Sequence, residues 1–219
     1  MYRYGSLILL CLFFTVQGLS AGPLEEGWKN AKQGEGISVY TRPIPGTDFK
    51  EFMGVTDVDA PMEVLLELFR DTPSFPQWFG FCRDIRLLKD VSGSHKLIYF
   101  ILATPWPVKD RDIVIDVRFD VHKDEGKATI TMNALKNELV PVQSKYVRMT
   151  HLIGKCTLTR KDADTTHVVY MVNSDPGGNI PVSVNNMLAK DQPFLTLKGM
   201  KEMGKKDVYY EKAGLKKKG

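Results

Sequence analysis

Proton-transfer chemistry is open to two groups of side chains in this chain: the histidines His95, His122, His151 and His167, and the carboxylate row Asp112, Asp116 and Asp120. The carboxylates recur at period two, which puts them on one face of a strand beside Arg118, and such a mixed-charge row reads as a solvated face. No Ser or Cys nucleophile stands in a motif near the histidines, and neither GxSxG nor HExxH occurs. Of the histidines, His151 and His167 fall on facing strands and are the pair a fold could bring together. Arg111-Asp112 offers either a head-group anchor or a turn-to-strand junction, and neighbours on a strand point to opposite faces, so both cannot enter one cavity. Cys82 and Cys156 can form a bridge in an oxidising compartment or stay as two independent buried thiols. With no CxxC and no close Cys/His spacing, neither a zinc site nor any other cofactor is expected.

These residues sit in a chain of 219 residues with 30 basic and 26 acidic side chains. The slight positive excess includes the end Lys216-Lys217-Lys218, so nucleic acid is not an expected partner, whereas weak, transient attraction to an anionic membrane surface is. Residues 1–21 read as a secretory signal peptide: one early Arg3, the apolar stretch Leu7–Phe14, then small or polar residues, with cleavage fitting after Gly18, Ser20 or Ala21. The apolar stretch is shorter than the ~20 residues a bilayer span needs. Export is therefore expected, to the periplasm in a Gram-negative producer and to the exterior otherwise. Residues 22–204 suit one domain, with 205–219 as a basic polar tail.

Within that domain Leu24–Lys32 reads as a short helix, and Ile37–Arg42 and Phe49–Val58 as a hairpin about Pro43, Pro45 and Gly46. Asp59-Ala60-Pro61 opens a helix whose apolar residues Val64, Leu65, Leu68 and Phe69 recur at helical spacing. Strands follow at Arg83–Lys89, Leu97–Ala103, Asp112–His122, Lys127–Lys136, Lys145–Arg160 and Thr166–Asn173. The chain closes on a helix from about Pro181 to Met203, which Pro193 should bend or break. The fold class is α+β: an antiparallel sheet with one apolar face, covered by the final helix. A curved sheet gripping one helix leaves room for a small molecule between them.

The segments Gly36–Arg42, Lys50–Val55, Trp78, Pro105-Trp106-Pro107-Val108-Lys109-Asp110-Arg111-Asp112, Gly178-Asn179-Ile180-Pro181 and Pro193–Leu197 together resemble a START domain, the lipid-transfer domain related to the steroidogenic acute regulatory protein. The resemblance covers nearly everything from Trp28 to Met203. It implies a helix-grip fold whose C-terminal helix closes a tunnel over one lipid-like molecule, bound without chemistry by a monomer. The expected lining is Val184, Met187, Leu188 and Leu195 from the helix and Tyr99, Ile101, Ile115, Val117, Met132 and Met171 from the sheet. Asn185 and Gln192 are expected to add polar contacts, and Arg111 a polar anchor; Trp106 is expected as a packing corner or at the tunnel mouth. Two other readings stay open: a helix-grip cyclase or aromatase, and a cavity-free interaction module of the cell envelope.

Overall fold

The computed structural model describes residues 27–136 and 139–217. The expected signal segment, residues 1–21, lies outside them. Ten strands form one sheet: β1 (Lys29–Gly34), β2 (Ile37–Pro43), β3 (Lys50–Val58), β4 (Cys82–Ser92), β5 (His95–Leu102), β6 (Arg111–His122), β7 (Lys127–Ala134), β8 (Val147–Arg148), β9 (His151–Arg160) and β10 (Thr166–Asp175). Their order is β1-β2-β3-β10-β9-β7-β6-β5-β4, with antiparallel neighbours throughout; the two-residue β8 pairs β6 in parallel. The sheet grips α2 (Val182–Met203), and α1 (Met62–Arg70), a 3₁₀ turn (Thr72–Gln77) and α3 (Asp207–Lys212) close one end. This is the expected antiparallel sheet around a C-terminal helix.

Four segments differ from the sequence reading. The stretch read as one strand, Lys145–Arg160, is split: Val147–Arg148 turns aside to pair with β6 in parallel, and β9 begins only at His151. Lys29–Gly34 is an edge strand and not part of a helix, because Glu35 and Gly36 both take positive φ (53° and 73°) and turn the chain straight back into β2. The interior Pro193 does not end α2, which runs through it as one helix of 22 residues. The expected polar tail holds α3, whose Tyr209 and Tyr210 are buried; the Tyr209 hydroxyl donates to Asp71 Oδ2 at 3.1 Å and Lys212 Nζ does so at 2.9 Å. Lysines flank these tyrosines in sequence, and their apolar partners come from α1, far upstream.

The gripped face carries the main core. Ile113, Ile115, Val117 and Phe119 of β6 meet Ala128, Ile130 and Met132 of β7 and Cys156 and Leu158 of β9. Two close approaches seat the C-terminal half of α2. Gly54 of β3 faces Leu197, and Gly199 lies against the backbone of Trp78. Phe75, Trp78 and Phe79 stack with Phe69 and Phe100 at ring-centroid distances of 4.8–6.3 Å, filling the angle between α1, the 3₁₀ turn and the sheet. The outer face carries a smaller cluster of Tyr99, Ile101, Val114 and Val140. Both free edges are irregular: the pairing of β1 shifts register between Asn30 and Lys32, and that of β4 shifts three times between Cys82 and Ser92.

Candidate functional site

Between the N-terminal half of α2 and the gripped face lies a cavity of about 100 Å³. The helix contributes Asn185, Leu188, Ala189 and Gln192, spaced i, i+3, i+4 and i+7 and hence on one face. The sheet contributes Ile98, Phe100 and Leu102 of β5, Ile113 and Ile115 of β6, Met132 of β7 and Tyr170 and Val172 of β10, while Phe75 and Phe79 close one end. At the other end stand Leu102, Ser174, Pro176 and Lys50, next to the loops that join β5 to β6 and β10 to α2. Among the described residues, Lys50 is the one charged residue that lines the cavity, and it is exposed.

Polar groups inside are few. The Gln192 side chain donates from Nε2 to Thr196 Oγ1 at 3.0 Å, and that hydroxyl oxygen accepts the Gly80 N–H at 2.9 Å. Burial pushes the Tyr170 hydroxyl up, with the Gln192 side chain pulling weakly the other way, so Tyr170 is neutral at ordinary pH.

Of the residues expected from sequence to line a site, the cavity brings together Ile115, Met132, Asn185, Leu188 and Gln192. Tyr99 and Ile101 lie on the opposite face of β5, paired with Val114 and Asp112, because the inward residues of that strand are the even-numbered ones. Val117 points inward but sits farther along β6 in the solid core. Met171 alternates with the inward Tyr170 and Val172 and so faces outward. Val184 and Met187 are half-buried and Leu195 is 40% exposed, and none of the three lines the cavity.

Arg111 is buried, but its guanidinium is not aimed at the cavity. It donates to the backbone carbonyls of Lys109, Pro176 (3.3 Å) and Gly177 (3.3 Å), tying the loop before α2 to the start of β6. Asp112 points the other way and is fully buried, which corrects its place in a solvated carboxylate row. Arg148 clasps it with two hydrogen bonds (3.0 and 2.8 Å), and the Tyr99 hydroxyl donates to it at 2.7 Å. Burial and that carboxylate hold the Tyr99 hydroxyl up at about 12. Asp116 pairs with His95 and Arg118, and Asp120 with His122.

His151 and His167 lie at opposite ends of the β9–β10 pair, opposite Asp175 and Thr159 respectively. They bond Asn173 and Asp57 instead of each other. Cys82 and Cys156 are free thiols and form no bridge: Cys156 is fully buried opposite Ile130 and Tyr170, whereas Cys82 opens β4 opposite Leu102. Trp106 packs no corner, since it is 92% exposed.

The lining residues that sequence reasoning missed are chiefly Phe52, Phe75, Phe79, Phe100, Ile113 and Tyr170. Ile113 was within reach, two residues from Ile115 on a strand with clean alternation. Phe75 and Phe79 required knowing where the 3₁₀ turn packs.

Residues 19–208 match the family model of the START domain. The chain is 32% identical over 202 residues to an uncharacterized protein of Pseudomonas aeruginosa, covering 92% of this chain and 98% of that one. It is 25% identical over 169 residues to the phosphatidylcholine transfer protein of Bos taurus, covering 75% of this chain and 78% of the other. Its fold superposes with a TM-score of 0.74 on the crystal structure of a STAR-related lipid transfer protein from Xanthomonas axonopodis, at 31% identity, covering 83% of this chain and all of that one. A sheet curved around one long helix near the C-terminus, the cavity beneath that helix and the match over most of the sequence agree: the chain belongs to the START domain family.

Proposed function

We propose that the protein is a non-enzymatic container for a lipid-like molecule, which it takes up and hands over at a membrane surface outside the cytosol. The observation that carries this reading is the cavity under α2, walled by apolar and aromatic side chains and lined, among the described residues, by a single charged one, the exposed Lys50. Burial of apolar ligand area there contributes ~25 cal/mol per Å², enough to hold a hydrocarbon chain without any strong polar contact. Among the described residues the titratable lining groups are Tyr170, kept neutral by burial, and Lys50 at the rim. Carriage therefore fits the site better than catalysis. The phosphatidylcholine transfer and STAR-related lipid transfer proteins it resembles support the same class of cargo.

Sites for drug-sized ligands commonly enclose ~300–1,000 Å³. A cavity of about 100 Å³ must widen to admit one. The C-terminal half of α2 is held by Gly54 and Gly199, while the lining half lies before Pro193, which lacks the N–H that would bond Ala189. Opening is therefore a swing of the N-terminal half of α2 about Pro193.

The loops at the cavity mouth suit contact with a membrane. Trp106, Val142 and Val182 are 92%, 71% and 61% exposed. Their segments are tied together by the Lys109 bond to Ser144 and by Arg111 on Pro176 and Gly177. Lys50, Lys109 and Lys145 add positive charge at that end. No described helix is long and apolar enough to cross a membrane. Export rests on the sequence of residues 1–21.

Organic extraction of protein purified from its native compartment, followed by mass spectrometry and a vesicle-to-vesicle transfer assay, tests the reading. A stoichiometric lipid and protein-dependent transfer are expected; protein that neither retains nor transfers any lipid would overturn it.

A further inference from the structure

We propose that the side-chain oxygen of Gln192 selects the cargo, so that the cavity prefers an uncharged lipid-like molecule bearing a hydroxyl group to one with a charged head at that point. The inference deepens the container reading above and rests on it. Gln192 is 7% exposed and lines the cavity, and its Oε1 is, among the described residues, the one buried side-chain polar atom without a hydrogen-bond partner. An acceptor left unpaired in an apolar interior is destabilising, and a ligand donor removes that cost. The other end of the amide is committed. Nε2 donates to Thr196 Oγ1, which also takes the Gly80 N–H, and the amide also acts on the Tyr170 hydroxyl of the same cavity, so it is fastened where α2 meets the segment after the 3₁₀ turn and it is the oxygen that stays unpaired.

The charge of the site points the same way. A carboxylate or phosphate beside Gln192 would face an oxygen lone pair in an apolar wall, with the exposed Lys50 as the sole charged lining residue among those described. A hydroxyl donates to the oxygen and brings no charge to desolvate. Asn185, two helical turns earlier on the same face and 7% exposed, supplies a second neutral amide along the ligand's path.

The test offers the full chain a set of 16-carbon probes in phosphatidylcholine vesicles: hexadecanol, hexadecyl methyl ether and hexadecanoate. The host phospholipid acts as a built-in competitor. Protein re-isolated at pH 8 is extracted and its lipid quantified. The alcohol should be retained about tenfold better than the ether, which matches one buried hydrogen bond of about 1.4 kcal/mol. It should exceed the carboxylate by more. Gln192→Leu should bring the alcohol-to-ether ratio close to one, and Gln192→Met serves the same purpose should the leucine variant not fold. Equal retention of alcohol and ether by the unaltered protein, an unchanged ratio in the variants, or dominance of the carboxylate or host phospholipid would each overturn the assignment to Gln192. Retention of no probe and no host lipid would instead bring down the container reading itself.

Discussion

Gly199 of α2 lies so close to Trp78 that a Cβ placed on it would meet the Trp78 carbonyl oxygen at 2.2 Å. The obstruction is backbone, which cannot rotate aside, unlike the Leu197 methyl that a Cβ on Gly54 would meet at 2.7 Å. Alanine would add about 1 kcal/mol of helix propensity, but overpacking costs about 1–3 kcal/mol and can exceed that where backbone blocks it. Gly199→Ala should lower stability by about 2 kcal/mol, read as a fall in Tm of roughly 4–8 °C. A Tm at or above that of the unaltered protein would show that α2 is not clamped there.

Pro193 is the expected hinge. Pro193→Ala restores the missing N–H to the middle of α2 and should stiffen it, slowing vesicle-to-vesicle transfer several-fold while leaving the protein folded. Transfer at an unchanged rate would place the opening motion elsewhere.

The clasp between Asp112 and Arg148 lends itself to a double-mutant cycle. Asp112→Asn leaves a largely buried guanidinium without its anion and should cost about 3 kcal/mol in chemical denaturation. Arg148→Met strands the carboxylate and should cost about as much. The double variant should fall short of the sum by at least about 1 kcal/mol. Simple additivity would mean that the ion pair does not hold the loop over the outer face.

The thiols report on burial. Burial, aided by the charge of Asp84, pushes Cys82 up to about 12, and burial raises Cys156 further. At pH 8 an ordinary thiol is about one quarter thiolate, whereas Cys82 would be ~10⁻⁴. Native protein should therefore react with a thiol reagent at these two positions more than about a hundredfold slower than unfolded protein, which should then take up one label on each of Cys82 and Cys156. Because both groups titrate higher folded than unfolded, their contribution to stability is complete below the unfolded value of about 8.5 and declines as pH rises toward 12. Unfolded protein that takes no label without a reductant would reveal a bridge.

Trp106 should matter to membranes and not to folding. Trp106→Ala should change stability by less than about 0.5 kcal/mol, since the ring packs on nothing. It should weaken partitioning onto anionic vesicles about tenfold. Unaltered partitioning would move the membrane contact to another face.

The sequence made some of these elements plain and hid others for identifiable reasons. β6 alternates so cleanly from Ile113 to Val121 that its inward face, and Ile115 on it, could be read directly. β5 could not be read this way, because Leu97 to Leu102 is apolar at every position. Its outer face is covered by a loop fastened through Arg148 and Asp112, which are 36 residues apart, and periodicity is blind to a contact of that span. So Tyr99 and Ile101 looked as suitable as Ile98 and Phe100. On α2 the apolar residues favoured Val184, Met187 and Leu195, whereas the face toward the cavity is set by the close approaches at Gly54 and Gly199. The polar Asn185 and Gln192 therefore mark it better than the aliphatic residues do.

The broken register of the two outermost strands has a consequence beyond shape. A sheet that must stay open around its helix cannot close on itself, so it ends in two rows of backbone groups that another chain could extend. Along β4 three bulges interrupt the row, and Arg83, Asp84, Arg86, Lys89 and Asp90 present both signs of charge to any arriving strand. On β1 the bulge after Asn30 lies between Lys29 and Lys32. Edge-to-edge concatenation into fibres is thereby discouraged at both ends, and a fold with two open rims can remain dispersed in water.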